Sequence, residues 1–173
     1  MIRTFLFDLG NVLVHFSHAR MCRQIGALVA RTEADVRAAI FDHHLHVPLE
    51  RGEIDQAEFQ RRLETQLDAR FDADALVHAA CDIFSINAPL RPMLDQLLHT
   101  GYRLVALPNT SPMHYDWVRA RFDVFAPFHT VLTSFGVGAM KPEPAIYRRA
   151  LEEIHCDPDE CFYTDDIPEY VAA

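Results

Sequence analysis

No run of apolar residues in the 173-residue chain approaches the roughly 18 that a membrane-spanning helix needs. The start, Met1-Ile2-Arg3-Thr4-Phe5, lacks the charged-then-apolar layout of a secretion signal, because its apolar run stops at Asp8. The four cysteines, Cys22, Cys81, Cys156 and Cys161, form no Cys-x-x-Cys pair and are too sparse for a disulfide framework. Reduced thiols and a cytoplasmic location are therefore expected. There is no internal repeat and no low-complexity tract. Positive charge is also short: 16 Lys and Arg stand against 25 Asp and Glu, a formal net charge of −9. Without a basic stripe to meet successive phosphates, nucleic acid is not an expected partner, nor is a membrane. That charge does not conflict with one small phosphorylated ligand held through a metal.

Half of the residues are apolar and 24% are charged, the balance of an ordinary globular domain. The length suits one domain with a modest insert and allows a sizeable core. Ile2 to Phe7 is a short apolar run with aromatic and β-branched members, ended by Asp8 and a Gly10-Asn11 turn, and reads as a buried strand. Residues 16 to 88 read as all-helical. Met21, Ile25, Leu28 and Val29 recur at helical spacing. Thr32 stands three before Asp35 as a capping box, and Asp55 and Asp72 open further helices. From residue 89 the pattern alternates. A helix over 89–100 is closed by Gly101, and a strand over 102–107 is halted by Pro108-Asn109. Ser111-Pro112 then opens a helix to about Arg121. A strand at 130–133, a loop at 136–138, a helix over 144–155, a strand at 161–164 and a last helix from Pro168 complete the chain.

Such alternation implies a parallel sheet with helices on both faces, and ligands in such sheets sit beyond the carboxyl ends of the strands. Asp8, Asn109 and Asp165-Asp166 each come directly after a strand, and Lys141 lies in the loop after the remaining one. Alone, Asp8 would simply cap a turn. Gathered with the others at one rim, it belongs to a carboxylate cluster that a cation must neutralise, and oxygen donors suit Mg²⁺. A carboxylate, Mg²⁺ and a lysine together suit phosphoryl transfer, with an aspartate taking the phosphoryl group covalently.

Phe7-Asp8-Leu9-Gly10-Asn11-Val12-Leu13, Leu107-Pro108-Asn109-Thr110, Lys141-Pro142-Glu143-Pro144 and Phe162-Tyr163-Thr164-Asp165-Asp166 resemble, in order and spacing, the four motifs of the haloacid dehalogenase-like (HAD) hydrolases. The resemblance spans nearly the whole chain. It is nearest to the subgroup with a small helical cap, which includes α-glucose-1-phosphate phosphatases and the N-terminal phosphatase domain of soluble epoxide hydrolases. The resemblance implies a Rossmann-like α/β core over 1–15 and 89–173 with an all-helical cap over 16–88. It also implies a Mg²⁺-dependent phosphatase of a small phosphorylated metabolite such as a sugar phosphate. By motif position, Asp8 matches the nucleophile, and Asp8, the Gly10 carbonyl and Asp166 match the metal ligands. Lys141 matches the residue that steadies nucleophile and phosphate, and Asn109 and Thr110 match the phosphate-binding loop.

The chain departs from that pattern in three places. Gly10 stands where most family phosphatases carry a second aspartate as general acid and base; His15 is a candidate substitute. Pro108 stands where a serine or threonine hydroxyl binds phosphate. The chain stops at Ala173, where the family continues with more helix and another strand, and Tyr170 replaces a residue that supports the metal. A core that stops short there is expected to leave a bare sheet edge open to self-association. The departures motivate a second reading, a catalytically weak or silent relative acting as a binding or association module. A third, a 2-haloacid dehalogenase using the same aspartate on carbon without metal, fits the Asp165-Asp166 pair poorly. His43-His44-Leu45-His46 reads as a solvated segment rather than a transition-metal site.

Overall fold

The computed structural model describes all 173 residues. Four strands, β1 (Thr4–Phe7), β4 (Arg103–Ala106), β5 (Thr130–Val131) and β6 (Cys161–Thr164), form one parallel sheet in the order β5-β4-β1-β6. Phe7 is level with Ala106 on one side and Thr164 on the other. That register brings Asp8, Leu107 to Asn109 and Asp165, the residues just past each strand, to one edge of the sheet.

Successive side chains of a strand point to opposite faces, and here both faces are covered. Phe7, Leu104 and Ala106 form one core with Leu94 of α6 (Arg91–His99) and Val118 of α7 (Pro112–Arg121). Leu6 and Val105 form the other with Ile146, Ala150 and Ile154 of α9 (Pro144–Ile154). β6 is the exposed edge, where Phe162 keeps 51% of its surface in solvent; α10 (Pro168–Ala172) comes after it.

Between β1 and β4 lies a helical block: α1 (His18–Val29), α2 (Glu33–Arg37), a π turn over Ala38–Asp42, α3 (His46–Glu50), α4 (Gln56–Leu67) and α5 (Ala73–Cys81). Its starts are fixed by polar caps. Ser17, Thr32, Asp55 and Asp72 each accept from a backbone N–H three residues on, and Asp35 completes the box with Thr32. The block has its own apolar core around Ile25, Val36, Leu63 and Leu76. Met113 of α7 belongs to it, which seats the block on the sheet unit.

Three local features differ from the sequence reading. Val14–His15 (β2) and Ser85–Ile86 (β3) pair as a two-stranded antiparallel ribbon at the two ends of the block; β3 falls inside the stretch 16–88 expected to be all-helical, and β2 just before it. Two residues per strand are too few for alternation to show. Ser134–Val137 is a short helix (α8), capped by Thr133 and closed by Gly138 at φ 77°, where a loop was expected. The segment from 89 begins as a 3₁₀ turn over Ala88–Leu90 before α6.

Candidate active site

Asp8 is held where β1 ends: its N–H donates to the Thr164 carbonyl at 3.0 Å. The chain then turns through Asn11, left-handed at φ 52°, whose N–H donates to the Val14 carbonyl at 2.7 Å. Lys141 reaches the same point from the loop after α8, ahead of a cis bond to Pro142. Its side chain is 1% exposed, and Nζ lies 2.6 Å from Asp8 Oδ1 and 2.6 Å from Asp165 Oδ2. Asp165 also accepts from the Tyr163 hydroxyl and, at 3.0 Å, from the Ile167 N–H. Asp166, exposed to solvent, accepts from Asn11 Nδ2 at 2.9 Å. Carboxylate oxygens of Asp8, Asp165 and Asp166 lie within 4.8 Å of one another.

Asn109 spends its side chain on Lys141. Its Oδ1 accepts from the Lys141 N–H at 2.9 Å and its Nδ2 donates to the Lys141 carbonyl at 3.0 Å. The Thr110 N–H donates to Ser134 Oγ, whose hydroxyl donates back to the Thr110 carbonyl. The Thr110 hydroxyl has only a 3.5 Å contact to the Ser111 carbonyl, too long to hold it strongly. Ser111 caps α7 in turn.

A cavity of about 50 Å³ is lined by Gly10, Asn109 and Thr110 of the sheet unit, by His18 and Glu50 of the helical block, and by His114 of α7. A smaller one of about 20 Å³ adjoins it through the shared His18, Glu50 and His114. A Cβ at Gly10 would lie 2.7 Å from the Phe16 ring, so this ring occupies the space a second carboxylate at that position would use. His15 sits exposed on β2 and lines neither cavity. A larger hollow of about 620 Å³ opens at the amino ends of the strands, around Arg3, Arg103 and His155, but no carboxylate cluster faces it.

Asp8, Lys141, Asn109 and Asp166 thus converge, with Gly10 and Thr110 beside them. Sequence reasoning placed Asp165 at the rim with Asp166 without assigning it a role, and passed over three further groups. Glu50, His18 and His114 carry no motif and are assembled by docking of the block.

The electrostatics favour an added cation. Three carboxylates face one ammonium, and burial pushes the Asp8 carboxyl up despite the opposing pull of Lys141. Asp8 Oδ2 is not engaged by Lys141, and hard oxygen donors of this kind suit Mg²⁺. Burial, with Asp8's charge adding to it, pushes Glu50 up to about 7. Burial takes both His18 and His114 down to about 4.

A family model for haloacid dehalogenase-like hydrolases matches residues 2–173. The chain is 25% identical over 177 residues to a glyceraldehyde 3-phosphate phosphatase of Methanopyrus kandleri, covering 96% of this chain and 76% of that protein. It is likewise 25% identical over 179 residues to a D-ribitol-5-phosphate phosphatase of Bacteroides thetaiotaomicron, covering 96% and 84%. Among solved structures, a HAD family enzyme of B. thetaiotaomicron in complex with magnesium and inorganic phosphate superposes with a TM-score of 0.85 at 23% identity, over 98% of this chain and 87% of that one. With residues 2–173 of its 173 matched, the chain belongs to the haloacid dehalogenase-like hydrolase family.

Proposed function

We propose that the protein is a Mg²⁺-dependent phosphatase acting on a small phosphorylated metabolite of the sugar-phosphate class, through a phosphoryl group carried on Asp8. The observation that carries this reading is the position of Lys141. One buried ammonium fixes Asp8 Oδ1 and leaves Oδ2 as the attacking oxygen. The two curated relatives, both phosphatases of small phosphorylated polyols or sugars, support the same reaction class. So does the structural neighbour that binds magnesium and phosphate.

In this mechanism Asp8 Oδ2 attacks phosphorus, the bond from phosphorus to the ester oxygen breaks, and the alcohol departs. Water then attacks the phosphorus of the aspartyl phosphate, which frees phosphate and regenerates Asp8. Lys141 orients Asp8 and opposes the effect of burial on its carboxyl, and, with Asp165 holding it from the other side, offers positive charge to the phosphoryl oxygens. The Thr110 hydroxyl and the start of α7 receive the phosphate, while Asn109 acts mainly by holding the Lys141 backbone. Asp8, the Gly10 carbonyl and Asp166 would hold the metal, which supplies charge neutralisation for the transferring group. The helical block acts as a cap over the site. With Gly10 in place of a carboxylate, protonation of the departing oxygen loses roughly 10²–10⁴-fold assistance, which matters least for esters with good leaving groups.

The three-carboxylate cluster disfavours a metal-free dehalogenase. The test is phosphate release from p-nitrophenyl phosphate and a panel of sugar phosphates. Turnover that EDTA removes and Mg²⁺ restores is expected. No turnover of any ester would favour the silent relative.

A further inference from the structure

Cys156 and Cys161 lie at the end of the sheet opposite Asp8, and phosphoryl transfer gives them no part. α9 ends at Ile154, and the chain returns to β6 through Cys156 and a 3₁₀ turn over Pro158–Glu160. Cys161 is the first residue of β6 and is level with Thr4 of β1. Partners in a parallel register carry their side chains on the same face of the sheet. Cys156 Sγ is 3.1 Å from Thr4 Oγ1, and both cysteines pack against the core that holds Leu6, Val105 and Ile154. The two thiols therefore meet over Thr4. Burial pushes the Cys161 thiol up to about 11, and the charge of Cys156 and a side-chain hydrogen bond with it push the same way. Neither cysteine is committed to a disulfide.

Their access differs. Cys156 is half-buried and lines both the hollow of about 620 Å³ at the amino ends of the strands and a second of about 660 Å³ beside it. Arg3 and His155 line both hollows with it, and Cys161 lines neither. A small oxidant thus reaches Cys156 first, while Cys161 stands behind it as a protonated thiol. The other two cysteines are a built-in control. Cys22 and Cys81 are 1% and 0% exposed in the core of the helical block, and burial pushes Cys81 up to about 12.

We propose that Cys156 and Cys161 form a reversible thiol–disulfide modification site that responds to hydroperoxides, with Cys156 the residue attacked and Cys161 the residue that resolves it. Cys156 gives its proton to solvent, and its sulfur attacks one oxygen of hydrogen peroxide. The O–O bond breaks and the departing hydroxide takes up a proton, leaving water and a sulfenic acid on Cys156. The Cys161 sulfur then attacks the sulfenic sulfur. The S–O bond breaks, and hydroxide leaves with the Cys161 proton as a second water. Two thiols lose two electrons in forming one disulfide, and the peroxide is reduced to water. The new bond ties the start of β6, an edge strand paired only with β1, to the end of α9.

The experiment treats the reduced, folded protein with hydrogen peroxide, blocks remaining thiols with iodoacetamide and maps tryptic peptides by mass. No lysine or arginine follows Arg149, so both cysteines fall on one peptide beginning at Ala150. That peptide is expected to become about 2 Da lighter and to refuse iodoacetamide until dithiothreitol is added, while Cys22 and Cys81 stay free. In Cys161→Ser, Cys156 should stop at the sulfenic acid and take dimedone; in Cys156→Ser, Cys161 should take none. A parent in which Cys156 runs on to sulfinic acid without the disulfide, or in which Cys22 and Cys81 oxidise first, would overturn the proposal. Dimedone on Cys161 in Cys156→Ser to the same extent would overturn the assigned order. The parent peptide map decides the disulfide even if either variant fails to fold.

Discussion

Asn109 closes a two-point clamp on the main chain of Lys141, accepting from its N–H at 2.9 Å and donating to its carbonyl at 3.0 Å. A strand-end residue thereby fixes the backbone of a loop 32 positions away, and the ammonium that meets Asp8 is aimed from that fixed point. Asn109→Ala releases the clamp and lets Nζ drift from Asp8. The expected cost is on the order of a hundredfold in kcat for p-nitrophenyl phosphate. Asn109→Asp should be similarly impaired, because it sets a carboxylate oxygen against the Lys141 carbonyl. Steady-state kinetics on the three proteins checks this.

Lys141 is the sole cation between two buried carboxylates, Asp8 and Asp165. Lys141→Met leaves both without a partner and is expected to destabilise the fold by about 3–5 kcal/mol as well as abolish turnover. Lys141→Arg keeps the charge, but a planar fork does not fit a site built for a point ammonium, so activity should still be lost. Urea unfolding separates the two. A Lys141→Met protein as stable as the parent would show that the pair contributes nothing to folding.

The sheet, its helices and the rim residues were legible because each strand is a short apolar run with a polar stop, and the stops carry the chemistry. Asp8, Lys141 and Asp166 emerge from that pattern. The Val14–His15 and Ser85–Ile86 ribbon is too short for any periodicity to register. Asp165 and Asp166 are adjacent and chemically alike; only the fold decides that Asp165 faces Lys141 while Asp166 faces Asn11. Glu50 and His114 lie 64 positions apart and share a cavity only because the helical block docks on α7. No local signal carries that contact.

The buried titratable groups give stability a worked-out pH dependence. His18 and His114, taken from 6.5 down to about 4, are neutral in the folded chain over a window in which the unfolded chain protonates them. Their contribution is present above about 6.5 and is lost as pH falls toward 4. Glu50, taken from 4.5 up to about 7, has the opposite sign: the folded chain keeps a proton that the unfolded chain releases, so its contribution is present at low pH and is lost as pH rises to 7. Glu50→Gln should therefore steepen the rise of unfolding free energy with pH between about 5 and 6.5, by at most about 1.4 kcal/mol per pH unit. His114→Gln should flatten it by a similar amount. Urea denaturation at half-unit pH steps reads both slopes, and parallel curves would contradict the assigned shifts.

Gly52 is constrained twice, by its φ of 72° and by the Phe135 carbonyl oxygen 2.7 Å from where a Cβ would sit. Gly52→Ala is expected to cost about 1–3 kcal/mol of stability. It should also lower activity, since it displaces the segment of the helical block that lines the cavity beside Gly10 and Asn109. Paired thermal melts and kinetics check this. A substitution without effect on either would mean that the Gly52–Phe135 approach does not hold the helical block.

The central claim is that Asp8 is the oxygen nucleophile of a phosphoryl transfer. Phosphate release from p-nitrophenyl phosphate with Mg²⁺, measured side by side for the parent and Asp8→Asn, tests it most directly. The account predicts turnover in the parent and none above background in the variant, with both proteins folded. Equal turnover in the two would contradict it.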